Sequence, residues 1–195
     1  MTVLTCEAKT DVFAPDTHLP YAVPLAQPFT AEIAGCFGRF PERDLPPWTG
    51  GANPITGPIR VEGVRPGDTI AVEILRLETI GEGFFGTDEA RVPVPIDAGC
   101  GVAVFPGGIA LPLSPHVGTL GVAPAGAAVS TRDAGDHGGN MDCKLLGPGC
   151  VVCFAGRIPG AGLGLGDVHA AMGDGEVGGQ GVEAAAVATL SVRKV

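Results

Sequence analysis

The sequence predicts a mostly β protein, a single compact β-sandwich or barrel-like domain over residues 1–195 with many Gly/Pro turns. Three observations lead there. The 32 glycines and 18 prolines exceed a quarter of the 195 residues, and helix interiors tolerate neither. Hydrophobic residues make up 45%, enough for a core, so the glycine and proline mark turns rather than a low-complexity chain. Apolar residues recur in short alternating runs, and no stretch carries a helical period of ordinary length.

Along the chain, residues 1–56 show little periodicity, and RDLPPWTGGANPITGP (43–58) is turn chemistry throughout. The clearest strands lie in PIRVEGVRPGDTIAVEILRLETI (58–80). Ile59 and Val61 alternate with Arg60 and Glu62, Arg65-Pro66-Gly67-Asp68 turns the chain, and Ile70, Val72 and Ile74 share a face. From Leu75 the phase slips, placing Leu75 and Leu77 against Arg76 and Glu78, as a β-bulge near Ile74 would do. ARVPVPI, GVAVFPG, IALPL and GTLGVAPAGAAV continue as short strands that proline confines to edges and ends. LLGPGCVVCFAGRIPGAGLGL (145–165) reads as strand, turn, strand, a hairpin-like return. In GVEAAAVATLSVRKV (181–195) the alanines suit a helix, but Val182, Ala184, Ala186, Ala188, Leu190 and Val192 alternate to the end, so a strand is expected.

The formal charge is −9, with 12 basic and 21 acidic residues. No basic cluster could neutralise a run of phosphates, so nucleic acid is not an expected partner. The N-terminus lacks a secretion signal, and no apolar run approaches membrane-spanning length, so a cytoplasmic protein without a membrane partner is expected. Paired disulfides among the six cysteines are then not expected. Cys150 and Cys153 have redox or zinc spacing, but on a strand they face opposite ways, which favours buried thiols.

The scarce ionisable groups gather in TRDAGDHGGNMDCK (131–144) and GDVHAAMGDGE (166–176). If 163–169 is a strand, Asp167 and His169 project from one face, and a carboxylate beside an imidazole suits a divalent metal such as zinc. Asp174 and Glu176 repeat that spacing and, if extended, offer two more oxygens on one side. Carboxylates held close repel one another unless a cation compensates. A solvated acidic loop with a lone histidine would use the same residue types. In the first motif, Asp136 and His137 precede Gly138, Gly139 and Asn140, and Asp142 follows. Glycine backbone N–H groups and the Asn140 amide can bind an oxyanion, although a tight turn would also use Gly-Gly-Asn. The three serines stand outside any nucleophile-elbow pattern. GAGLGLG lacks the Lys-Ser/Thr of a phosphate loop, so close backbone packing is its expected role.

Taken together, NPITGPIRVEGVRPGDTIAVEI (53–74), GDHGGNMDCK (135–144) and PGAGLGLGDVHAAMGDGEVGGQGVE (159–183) resemble the acetamidase/formamidase family. The resemblance implies a mostly β, homo-oligomeric enzyme that hydrolyses formamide or acetamide to the carboxylic acid and ammonia, using a divalent metal, commonly zinc. Its blocks fall on Gly138, Gly139, Asn140, Asp142, Asp167, His169, Asp174, Gly175, Glu176 and Glu183. For metal-assisted hydrolysis Asp142, Asp167 and His169 are the ligand candidates, with His137 a weaker one, and Glu176 or Asp174 the candidate base; which carboxylates bind and which takes the proton stays open. Gly138, Gly139 and Asn140 would bind the oxyanion, and Glu183 would position substrate or a ligand. Cys143, a thiol between Asp142 and Lys144, is an alternative nucleophile, although the family often carries an aliphatic residue there.

Two departures accompany the resemblance. Residues 1–47 match poorly, and family chains usually run on for roughly a hundred residues into an α/β region that this chain lacks. A compact variant, a fragment, or one subunit completed by a separate partner chain are the alternatives. The last would make this a non-catalytic or partner-dependent subunit.

Overall fold

The Glu183–Lys194 strand organises the molecule, which a computed structural model describes over residues 1–15, 18–87 and 89–195. Ala184, Ala186, Ala188, Leu190 and Val192 are all buried, as the alternation predicts. Their small side chains let neighbouring layers approach, and period-2 burial overrides the helix propensity of alanine. This strand runs antiparallel to Thr69–Gly86, from Glu183 opposite Phe84 to Lys194 opposite Ile70. The register slips where Leu190 pairs with Ile74 and Thr189 with Arg76, so Leu75 is the extra residue of a β-bulge. The expected slip is therefore present. Its consequence differs from the expectation: Leu77 is buried while Leu75 is 42% exposed, because the bulge turns Leu75 to solvent.

A second set of strands is built on Ala161–His169. One edge pairs with His116–Gly121 throughout. The other pairs with Ile55–Val61 as far as Gly166 and with Glu183–Lys194 from Val168 onward. Asp167 stands where the partner changes, with φ 56°. The glycines of this strand permit close packing. A Cβ on Gly164 would lie 2.4 Å from Ile55 Cδ1, and one on Gly166 would lie 2.5 Å from the Pro54 carbonyl oxygen.

The hairpin-like return over 145–165 does not form. Val151–Ala155 pairs with Thr69–Gly86 rather than with Ala161–His169, because its alternating partners on that strand complete a different sheet edge. Cys153 on it is exposed and Cys150 half-buried, which corrects the expectation of two buried thiols. The segment before residue 56, which showed little period, holds the Phe29–Ile33 strand with Phe29, Ala31 and Ile33 buried. Ile96–Asp97, Val102–Phe105 and Ile109–Pro112 form a separate small sheet. Among the described residues the regular elements are strands and one 3-10 turn, and no helix is long and apolar enough to cross a membrane.

Both sets of strands close on one core, in which Val72, Ile74, Leu163, Leu165, Ala188 and Leu190 pack together. Leu165 has no exposed surface. Leu165→Ala is expected to cost about 3 kcal/mol, roughly 6–12 °C in melting temperature. A loss below about 1 kcal/mol in denaturant titration would show that the two sets of strands do not depend on a shared core.

Candidate active site

The His116–Gly121 strand brings the two ionisable motifs together. Its Thr119 pairs with Asn140 on one side and Gly166 on the other. The backbone N–H groups of Met141 and Asp142 both donate to the Gly118 carbonyl, at 2.9 and 3.1 Å, which holds Asp142 over that strand. Gly118 leaves room for the acids: a Cβ there would lie 2.6 Å from Asp142 Oδ1 and 3.0 Å from Asp167 Oδ2. Gly118→Ala is expected to weaken divalent-cation binding on the order of 10–100-fold, by displacing carboxylates rather than removing them. Calorimetric zinc titration reads this, and unchanged affinity would contradict the packing.

Two groups of potential donors result. Ligand atoms of Asp142, His169 and Glu176 lie within 4.8 Å of one another, as do those of Cys36, Asp167 and Glu183. The groups touch through His169 Nε2, which is 3.1 Å from Glu183 Oε1 and 3.7 Å from Glu176 Oε1. Asn53 Nδ2 donates to Asp167 Oδ2 at 2.7 Å and to Asn140 Oδ1 at 3.1 Å. Thr119 Oγ1 also donates to Asn140 Oδ1, at 2.9 Å. With that oxygen occupied twice, the donor that Asn140 has left is its amide nitrogen.

The backbone is strained here. Six non-glycine residues among those described have positive φ, and four of them are Asn53, Asp142, Asp167 and Glu176. Such conformations cost on the order of 1–3 kcal/mol each and persist where the surroundings over-determine them, most often at functional sites.

Burial and mutual repulsion shape the charges. Burial, then Glu183, pushes the Asp167 carboxyl well above the usual range. Burial followed by Asp142 lifts Glu176 to about 7, against the pull of His169. Burial alone would lower His169, but Glu183 at its Nε2, with Asp167 and Asp142 nearby, holds it at about 9. Asp142 Oδ1, His169 Nδ1, Glu183 Oε2 and His116 Nε2 are buried without hydrogen-bond partners. An array of carboxylates and imidazole nitrogens with unmet hydrogen-bonding capacity fits a divalent cation. These are buried groups able to hold a metal.

The donors open on a cavity of about 400 Å³ lined by Asn53, Asn140, Asp142, Asp167, His169 and Glu176 among others. Of the expected site residues, Asp142, Asp167, His169, Glu176, Glu183 and Asn140 thus come together, with Asp167 standing in the second donor group rather than beside His169 in the first. Asp174 does not join them. Residues Asp174–Glu176 form a 3-10 turn with Gly175 at φ 73°, so the two carboxylates diverge instead of sharing a strand face. Asp174 is 93% exposed and pairs with Lys144 at 2.9 Å. His137 is buried edge-on against Phe13, ring centroids 5.2 Å apart, outside both donor groups. Gly138 and Gly139 are buried in a strand between His116–Gly121 and Ala134–Gly135, so their backbone serves the ladder and does not line the cavity. Cys143 is half-buried against the core and is not a cavity residue.

Sequence reasoning missed Asn53, Cys36, Gly118 and His116. Asn53 stood in a segment read only as turn chemistry. His116 is fully buried with its ring centroid 5.2 Å from that of His169, and its Nδ1 is 2.9 Å from the Ser114 carbonyl oxygen. The rarity of histidine was the available signal.

Comparison with known proteins gives the family and the fold. A sequence model of the Acetamidase/Formamidase family matches residues 121–195. The crystal structure of a predicted acetamidase/formamidase from the thermophile Thermoanaerobacter tengcongensis is 33% identical, with a TM-score of 0.89, over 100% of this chain and 69% of that one. An acetamidase from Bacillus halodurans is 32% identical with a TM-score of 0.86, over 98% of this chain and 70% of its own. An acetamidase from Yersinia enterocolitica is 27% identical with a TM-score of 0.86, over 100% and 68%. No curated protein matches the chain.

Proposed function

Because the chain belongs to the acetamidase/formamidase family, we propose that its site hydrolyses short linear amides, formamide and acetamide, to the carboxylic acid and ammonia with zinc bound. The observation that carries this reading is the meeting of Asp142, His169 and Glu176 within 4.8 Å at a cavity that Asn140 also lines. Asp142 and His169 would hold the cation, which when bound would supply Lewis acidity and lower the pKa of a water at the site.

The chain's own residues do the rest. Glu176 stands on the loop between two strands, half-buried at the cavity, where it can take the proton of the attacking water. Returning that proton to the amide nitrogen lets ammonia, rather than amide anion, depart. The Asn140 amide nitrogen donates to the carbonyl oxygen as negative charge develops on it. Glu183 accepts from His169 Nε2 and fixes the ring's orientation. Asn53 holds Asp167 and Asn140 in register through one amide nitrogen.

The test is ammonia release by the purified chain, loaded with zinc, from formamide, acetamide and longer linear amides. Release from the shortest amides is expected. The chain spans 69% of the Thermoanaerobacter structure, so assaying it alone also decides whether the site works without further chain. Absence of release from every amide, in folded zinc-loaded protein, would overturn the reading.

A further inference from the structure

The second donor group is as well formed as the first, yet hydrolysis as described gives it no cation. Cys36, Asp167 and Glu183 are 6%, 3% and 5% exposed, and their ligand atoms lie within 4.8 Å of one another. Glu183 Oε2 is buried with no hydrogen-bond partner. Asp167 Oδ2 accepts from Asn53, and Glu183 Oε1 faces His169 Nε2. Those neighbours leave the pair short of compensation. A cation held by Asp142 and His169 leaves the Asp167 and Glu183 carboxyls buried side by side without one of their own. Buried carboxylates are retained only when protonated, paired or bound to a cation.

We propose that Cys36, Asp167 and Glu183 hold a second divalent cation, of the thiophilic zinc class, beside the one held by Asp142 and His169. The inference rests on the proposed function for that first cation. Two carboxylates alone would serve magnesium or calcium, whereas a thiol among them favours zinc or cobalt. Binding breaks the Cys36 S–H bond, forms a sulfur–metal bond and releases the proton to solvent, so uptake of this ion is proton-linked. The two groups adjoin through the His169–Glu183 contact, at 3.1 Å. Asp142 Oδ1 and Asp167 Oδ2 also meet over Gly118. Both groups line the same cavity, as the donors of two-metal hydrolytic sites do.

Metal-free protein titrated with zinc alone is expected to take up two equivalents. With cobalt(II) alone it is expected to develop a near-ultraviolet thiolate-to-cobalt charge-transfer band. Cys36→Ser should bind one equivalent and lose the band. Asp142→Asn should also fall to one equivalent but keep the band, so the inference remains decidable if the cysteine variant fails to fold. A single equivalent in the unaltered protein, no band, or a band that survives Cys36→Ser would overturn it. Amide hydrolysis by a one-cation protein would remove this inference and leave the function standing. Two cations with the Cys36 band but no hydrolysis would do the reverse.

Discussion

Glu176→Gln is expected to lower ammonia release by about 10²–10⁴-fold, the range for losing a positioned general acid–base group, with zinc content unchanged. Glutamine keeps an oxygen in the donor group of Asp142 and His169 but cannot carry a proton. Its size is the same, and the side chain is only partly buried, so stability should change little. The neighbouring acid is the control. Asp174 faces solvent and pairs with Lys144, so Asp174→Asn should turn over normally. Initial rates of ammonia release with parallel zinc analysis read both variants. Normal turnover in Glu176→Gln would remove it as the base, and a collapse in Asp174→Asn would show that the 3-10 turn changes shape when substrate binds.

Stripping the cation is expected to abolish turnover and soften the fold together. A ligand that binds only the folded state, at a hundredfold its dissociation constant, stabilises by about 2.7 kcal/mol. For a chain of this length that is roughly 5–10 °C in melting temperature. Chelation should remove that increment and added zinc should restore both it and activity. His169→Ala should lack both and recover neither, because it deletes a donor and leaves Glu183 buried without the ring at its Oε1. Thermal melts and ammonia assays on the same samples check this. Full activity in thoroughly chelated protein would contradict any role for a cation.

Much of the fold was legible because strand burial leaves a local pattern. The alternation from Ile70 to Ile74 and from Ala184 to Val192 needed no knowledge of partners, and the bulge showed as a broken period. Phe29–Ile33 carries the same pattern over only five residues, too short a run to stand out in a segment of little periodicity. Pairing was the illegible part. Nothing local says that Val151–Ala155 joins Thr69–Gly86, or that His116–Gly121 lies between the two motifs, because edge choice depends on distant strands. The site divides the same way. Asp142, His169 and Glu176 stood out by residue type and spacing, while Cys36 and Asn53 enter from segments more than 80 positions away from Asn140 only through pairing. Asp174 was misplaced because the spacing argument assumed an extended chain, and Gly175 in a left-handed conformation ends that geometry.

Anomalous diffraction at the zinc edge from crystals of zinc-loaded protein tests the central claim most directly. The account predicts a peak at coordination distance, about 2.0–2.2 Å, from a carboxylate oxygen of Asp142 and a ring nitrogen of His169. Density with no peak between those side chains, or with the two turned toward separate spaces, would contradict it.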